Sequence, residues 1–166
     1  PMGHYTEYVY NSLGQVTKQT VFDCNETPDY ADDDFAVRQV RMEYDNLGNV
    51  TKQIVMADPA STGAYQAGTD LITVSVYDYS TGLLDKIRKY YGTSATVAET
   101  DYDYDGIGRK YRTTDPEGNV EEITFYTLQE GNPAQVKKTT RKEVNSEDSQ
   151  EFYTITTFFE YDDYGR

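Results

Sequence analysis

The chain of 166 residues has no tryptophan, one cysteine, one histidine and no long apolar run. The lone Cys24 excludes an internal disulfide, and one cysteine with one histidine are too few ligands for a structural zinc site. His4 lies in what looks like a cloning remnant, so no Ser-His-Asp or Cys-His arrangement is expected. The apolar runs span only a few residues, so no transmembrane helix is predicted. We therefore expect a protein that is not an enzyme and that needs no cofactor.

Basic residues are also scarce: 15 Lys and Arg stand against 29 Asp and Glu, which gives a formal net charge of −14. A field of this sign repels phosphate backbones and anionic lipid. The sequence therefore predicts no nucleic-acid binding and no direct membrane insertion. It is compatible with cations and with basic partners.

Tyrosine is abundant, with 17 Tyr and 6 Phe in a chain that is 37% hydrophobic and 27% charged. Regular alternation of apolar and polar residues makes such a composition compatible with strands, because half of each strand faces water. Residues 71–79, dense in β-branched side chains, give the strongest strand prediction. No segment has sustained 3.6-residue periodicity, so almost no helix is expected.

One stretch of sequence, residues 44–55, recurs along the chain. Residues 10–21 repeat it closely, and shorter or looser copies begin at Tyr77, Tyr104 and Tyr161. Repeated text at variable intervals indicates one supersecondary unit that carries insertions of different lengths. The unit is typical of a strand, a tight turn and a second strand.

The turn inside this unit has a physical explanation. Asp45 is expected to accept a hydrogen bond from the backbone N–H two residues on, and Gly48 to take the left-handed conformation that a type I turn with a bulge requires. Tyr44 is then the last paired residue of its strand. In the copy after Tyr77, the turn that ends at Gly82 is one residue longer. A separate D-P-E-G-N turn follows at Asp115. The residues assigned to these turns are Tyr10, Asn11, Gly14, Tyr44, Asp45, Gly48, Tyr77, Asp78, Gly82, Tyr104, Asp105, Gly108, Asp115, Gly118, Tyr161, Asp162 and Gly165.

These units predict an all-β fold of about a dozen strands in consecutive antiparallel hairpins, a curled sheet with its second face still to be buried. Predicted strands include residues 35–44, 53–56, 97–104 and 120–128. Residues 5–166 form one repeat region with insertions near residues 23–34 and 57–70. Residues 1–4 look like a cloning remnant, so we expect a fragment of a longer protein. Its terminal strands are candidate edges for self-association.

The motif Y-D-x-x-G-N/R resembles the RHS or YD repeats of bacterial polymorphic toxins, insecticidal toxin complexes and teneurins. The matching pieces are residues 44–49, 104–109, 115–119 and 161–166. The resemblance covers nearly the whole chain. It implies hairpins that spiral into a β-shell, or a surface scaffold, in a secreted or cell-surface bacterial protein. Its implied partners are the rest of the same repeat protein and an enclosed cargo such as a toxin domain. The long insertions depart from a minimal repeat, and no toxin domain is recognisable.

Calcium binding is a second hypothesis. Asp101, Asp103 and Asp105 match the opening of an EF-hand loop, although Arg112 stands where the bidentate Glu belongs. Strand alternation places the same three carboxylates on one solvent face without any metal. Asp29, Asp32, Asp33 and Asp34 form another candidate cluster, for which a solvated loop is the alternative.

Two other functions remain open. A binding module for glycans or a cell-surface protein would act through the insertions and exposed tyrosines. A glycoside hydrolase would need a carboxylate pair, but among 29 acidic residues some pair lies at a suitable distance by chance. The missing tryptophan weakens a sugar-stacking platform, which tyrosine can also provide.

Overall fold

The computed structural model describes residues 4–23, 35–63, 68–90, 97–144 and 152–162. These residues form strands and turns only, and no helix capable of crossing a membrane occurs among them. The strands are β1 (His4–Tyr10), β2 (Val16–Asp23), β3 (Phe35–Tyr44), β4 (Val50–Val55), β5 (Leu71–Tyr77), β6 (Leu84–Tyr90), β7 (Val97–Tyr104), β8 (Lys110–Thr114), β9 (Val120–Phe125), β10 (Val136–Val144) and β11 (Phe152–Phe158). They form one eleven-stranded sheet in which every strand neighbours the next in sequence. The predicted all-β fold of consecutive antiparallel hairpins is confirmed.

Strand limits follow the turns that bound them. β3 and β7 have the predicted bounds, whereas β4 begins at Val50 rather than at residue 53. β9 ends at Phe125, short of the predicted residue 128, because Tyr126 N–H donates to Gln135 O (3.1 Å) and the chain then turns. β5 ends at Tyr77, before the predicted residue 79, because Asp78 opens the next turn. His4, expected in the remnant, is the first residue of β1 and lies 3.5 Å from Asp23 through Nδ1 and Oδ1.

The chain divides into two compact units. Unit 1 comprises Pro1–Val76 and Ile87–Ala98, and unit 2 comprises Tyr77–Lys86 and Glu99–Arg166. In unit 1, the core cluster consists of Ile54, Met56 and Ile72, with Val74 and Tyr90 packed against it. Thr20, Gln39, Val40 and Asp70 are buried as well. The apolar alternation of β4 and β5 thus builds a small core on one face.

Unit 2 has no residue in the buried class among those the structure describes. Charged pairs bridge its strands instead. Lys86 Nζ lies 3.3 Å from Glu99 Oε1 and 3.0 Å from Asp101 Oδ1. The guanidinium of Arg109 lies 4.0 Å from the centre of the Phe125 ring.

The second predicted insertion, residues 57–70, folds back onto β3 in its described part. Gln39 Nε2 donates to Pro59 O (2.7 Å), and Arg41 Nη2 donates to Ser61 O (2.7 Å). Arg41 also donates to Gly63 O and, through Nε, to Gln39 Oε1 (2.8 Å). Gln39 is only 2% exposed, so the insertion covers it. The other insertion lies mostly outside the described residues.

Candidate functional site

The repeat turns are the most regular feature of the molecule. In the turn 45–49, Asp45 Oδ1 accepts from Leu47 N–H (2.9 Å) and from Asn49 N–H (2.8 Å). Asn49 Nδ2 donates to Asp45 Oδ2 (2.9 Å). Two backbone bonds close the turn, from Asp45 N–H to Asn49 O (3.0 Å) and from Gly48 N–H to Asp45 O (3.2 Å). One aspartate therefore satisfies most donors of its own turn.

Three further turns, residues 11–15, 105–109 and 115–119, use the same bonds. In each, the first side chain accepts from the backbone N–H groups of the third and fifth residues, at 2.8–3.1 Å. The first and fifth side chains are also hydrogen-bonded to each other, at 2.7 Å in all three; the fifth residue donates in the turns 105–109 and 115–119, whereas Asn11 Nδ2 donates to Gln15 Oε1 in the turn 11–15. The pairs of first and fifth residues are Asn11 with Gln15, Asp105 with Arg109, and Asp115 with Asn119.

Three of the turns that follow a Tyr are entered through a bulge. The pairing register shifts just before Tyr10, Tyr44 and Tyr104, so the partner strand carries one extra residue there. In the first repeat that residue is Thr17, whose hydroxyl donates to Val9 O (3.2 Å). In the second repeat it is Thr51, whose hydroxyl donates to Glu43 O (3.3 Å). The glycines of the five turns all have positive φ: Gly14, Gly48, Gly82, Gly108 and Gly118.

The copy after Tyr77 is wider, as its longer sequence predicts. Gly82 N–H donates to Asp78 O (2.8 Å), and Asp78 N–H donates to Leu83 O (2.8 Å). Asp78 Oδ1 accepts from the hydroxyls of Ser80 (2.6 Å) and Thr81 (2.9 Å). These hydroxyls, with the backbone N–H of Thr81, lower the pKa of Asp78 to about 2. Its carboxylate is therefore held in the ionised form and accepts hydrogen bonds from its own turn.

The turn carboxylates share this electrostatic setting. The Asn49 side chain, followed by backbone donors, lowers the pKa of Asp45. The backbone N–H of Arg109, assisted by its guanidinium, lowers the pKa of Asp105. Burial raises the pKa of Asp115, but hydrogen bonds from Asn119 and Glu117 outweigh it and the pKa is lowered. All three groups are held as anions by the turns they stabilise.

Several turn residues also reach into a neighbouring hairpin. Tyr44 Oη donates to Val16 O (2.7 Å), and a Cβ at Gly48 would lie 3.3 Å from Gln15 Nε2. Arg109 donates to Pro133 O. Successive turns are thus joined side by side within each unit.

The last copy of the motif is only partly described. Tyr161 contacts Tyr126 edge-on, with ring centres 6.2 Å apart, and Tyr126 Oη donates to Phe159 O (3.0 Å). Asp162 is exposed. Gly165 lies outside the described residues.

The structure does not bring the candidate calcium ligands together. Asp101 lies 3.0 Å from Lys86, Asp103 lies 3.9 Å from Arg112, and Asp105 lies 2.6 Å from Arg109. No three His, Cys, Asp or Glu side chains converge into a group that would hold a metal within residues 4–23, 35–63, 68–90, 97–144 and 152–162. The second candidate cluster, Asp29, Asp32, Asp33 and Asp34, lies outside these ranges, as does Cys24.

A groove in unit 2 lies between the loop 78–83 and the turn 105–109. Its volume is about 660 Å³, and its walls include Asp85, Asp103, Tyr102, Tyr104 and Ile107. Burial, followed by the influence of Tyr102 and Asp85, raises the pKa of Tyr104. Tyrosines and carboxylates therefore line the groove, and two of the carboxylates, Asp103 and Asp105, lie beside Arg112 and Arg109.

Sequence reasoning missed three sets of structural residues. The fifth position of the turn is occupied by Gln15, Asn49 or Asn119, and this variation is visible when the repeats are compared. Their role in closing the turn could therefore have been predicted from the sequence. Thr17 and Thr51 at the bulges could have been found by the same comparison of the repeats. Gln39 and Arg41 gave no such signal, because their partners lie about twenty residues away.

A solved structure identifies the fold. The crystal structure of TcdB2-TccC3-Cdc42 matches 96% of this chain with a TM-score of 0.66. The chain has an RHS-type fold. Sequence identity to that RHS-repeat-containing toxin component is 15%. At this identity the similarity shows a shared fold and nothing about activity. The chain spans 8% of the length of the protein it matches. No protein-family model and no curated protein matches the sequence.

Proposed function

We propose that this chain is a non-enzymatic wall segment of a secreted or cell-surface RHS-repeat protein, whose shell encloses cargo such as a toxin. The observation that carries the proposal is the use of the repeat motif: one hydrogen-bond arrangement recurs in four turns, and turn side chains reach the next hairpin. Residues that recur in this way build a stack of hairpins. Their carboxylates are occupied by the turns, which leaves them unsuited to acid–base chemistry.

Burial supports the same proposal. Only Val40, Ile54, Met56 and Ile72 form the buried apolar set among the described residues. The edge strand β1 exposes Tyr8, Val9 and Tyr10, and the edge strand β11 exposes Tyr153, Ile155 and Phe158. Neighbouring residues of a strand point to opposite faces, so both faces of β1 carry exposed apolar side chains. Such edges favour pairing with a further strand.

Protease protection in the natural full-length protein tests this function. We expect limited proteolysis of the native protein to leave an intact repeat region and an undigested internal cargo segment, identified by mass spectrometry. Asp45→Ala combined with Asp115→Ala should open the wall and expose that segment, whereas Glu7→Gln combined with Glu117→Gln should not. Cleavage of every segment at equal rates in the unaltered protein would contradict an enclosing wall.

A binding module for glycans or a surface protein is the second candidate. It is favoured by the exposed rings of Tyr8, Tyr10, Tyr79 and Tyr153. The described part of the second insertion is fastened to β3, so it does not add to this case. A glycan array probed with this chain tests the idea. Selective binding that is lost in Tyr79→Ser supports it, and an empty array opposes it.

A further inference from the structure

The loops at one edge of unit 2 each carry an exposed apolar side chain. Tyr79 is fully exposed, Ile107 is 76% exposed and Leu128 is 79% exposed. Their loops are neighbours: a Cβ at Gly108 would lie 3.7 Å from Leu83 Cδ1, and Arg109 donates to Pro133 O. We call the surface formed by residues 78–83, 105–109 and 126–135 the turn edge.

Turn formation does not explain these apolar residues. Ile107 contributes only its backbone N–H to the turn, at 3.1 Å from Asp105 Oδ1. Glu117 holds the same position in the equivalent turn 115–119 and makes the same bond at 3.0 Å. Exposed apolar side chains on neighbouring loops, with polar groups around them, are typical of an interaction surface.

The groove beside these residues sets the chemistry of the partner. Asp78 and Asp85 line it, and neither lysine nor arginine is among its lining residues. Asp103 and Asp105 line it too, but they lie 3.9 Å from Arg112 Nε and 2.6 Å from Arg109 Nη2. Tyr102 and Tyr104 also line it, and Lys110 Nζ lies 5.3 Å from the centre of the Tyr102 ring. Carboxylates beside aromatic faces favour ammonium and guanidinium groups. A volume of about 660 Å³ is sufficient for one or two such side chains.

We propose that the turn edge docks a polypeptide segment in which basic and apolar side chains alternate. Its Lys or Arg side chains enter the groove, and its apolar side chains cover Ile107, Tyr79 and Leu128. The net charge of −14 attracts such a segment and repels an acidic one. This surface is separate from the strand edges invoked for the shell wall, so either proposal can fail alone.

Fluorescence anisotropy with three labelled dodecapeptides tests the docking on the intact chain. We expect a repeating Arg-Leu peptide to bind at one saturable site. A repeating Arg-Ser peptide should bind at least about tenfold more weakly, a factor equivalent to 1.4 kcal/mol, and a repeating Glu-Leu peptide should not bind. Equal binding of the Arg-Leu and Arg-Ser peptides would remove the apolar part of the proposal.

Variants locate the site. Asp85→Asn, and separately Ile107→Ser, should each weaken Arg-Leu binding at least about tenfold. The control, Glu117→Gln, removes the same charge outside the groove and should have little effect. Circular dichroism melts establish that each variant is folded. If the control weakens binding as much as the groove variant, attraction follows net charge alone and the proposed site is wrong.

Discussion

Tyr44 Oη donates a hydrogen bond of 2.7 Å to the carbonyl oxygen of Val16. Tyr44 ends β3 and Val16 begins β2, so the bond joins the second repeat turn to the first hairpin. The tyrosine that marks each repeat in the sequence therefore acts beyond its own turn in this copy. Its hydroxyl satisfies a partly buried backbone acceptor that would otherwise need water.

Tyr44→Phe should destabilise the chain by about 1 kcal/mol, the usual net value of one such hydrogen bond. The ring stays in place, so the loss isolates the hydroxyl. Urea denaturation followed by circular dichroism measures it. Tyr8→Phe, on a ring that is exposed, is the matched control and should leave stability unchanged. Equal melts for both variants would show that the bond to Val16 contributes nothing.

Gly48→Ala should cost about 1–2 kcal/mol, because φ is +91° and an L-residue is strained there. The new Cβ would also lie 3.3 Å from Gln15 Nε2, so the neighbouring turn must shift. Gly106→Ala is the control, since its φ is not positive and nothing lies within 4 Å of the added atom. Thermal melts of the two variants should differ, and similar melting temperatures would contradict the turn geometry.

Stability should depend on pH through Asp78. Its pKa is lowered from 3.8 to about 2 in the folded chain, so acidification favours the unfolded state, which binds the proton more tightly. This stabilisation is complete above about pH 4 and is lost as the pH falls toward about 2. The double variant Ser80→Ala, Thr81→Ala should lose stability at about pH 5 and converge with the unaltered chain at about pH 2. If urea denaturation gives the same difference in unfolding free energy between the two proteins at every pH, the assignment of the pH dependence to Asp78 is wrong.

Arg41→Gln should release the described part of the second insertion. The guanidinium bonds to Ser61 O and Gly63 O, and glutamine cannot reach both. Hydrogen exchange read by mass spectrometry should show faster exchange at residues 57–63, while the melting of the sheet changes little. Arg38→Gln, on an exposed residue of the same strand, should leave that exchange unchanged. Equal exchange in both variants would show that Arg41 does not hold the insertion.

The hairpins were predictable because their signals are local. Asp45 and Gly48 determine a turn within five residues, and strand alternation does the rest, which is why β3 and β7 have the predicted bounds. The eleven-strand order follows from hairpins joined in sequence.

Contacts between distant residues were not predictable. Gln39 is a polar residue in the middle of a strand, and nothing near it indicates that Pro59 will cover it. The sequence predicts Arg109 as part of a turn, but its guanidinium also lies over the Phe125 ring in a later strand. The division into two units is hidden too, because the same repeat occurs in both.

Cryo-electron microscopy of the natural full-length protein tests the central claim most directly. We predict that residues 4–162 form part of a continuous β-wall, with a further strand paired to β1 and another to β11, around an enclosed space. An open stalk with the same strand pairing would keep the scaffold and remove the cargo. A particle in which β1 and β11 both face solvent with no strand beside them would contradict the proposal.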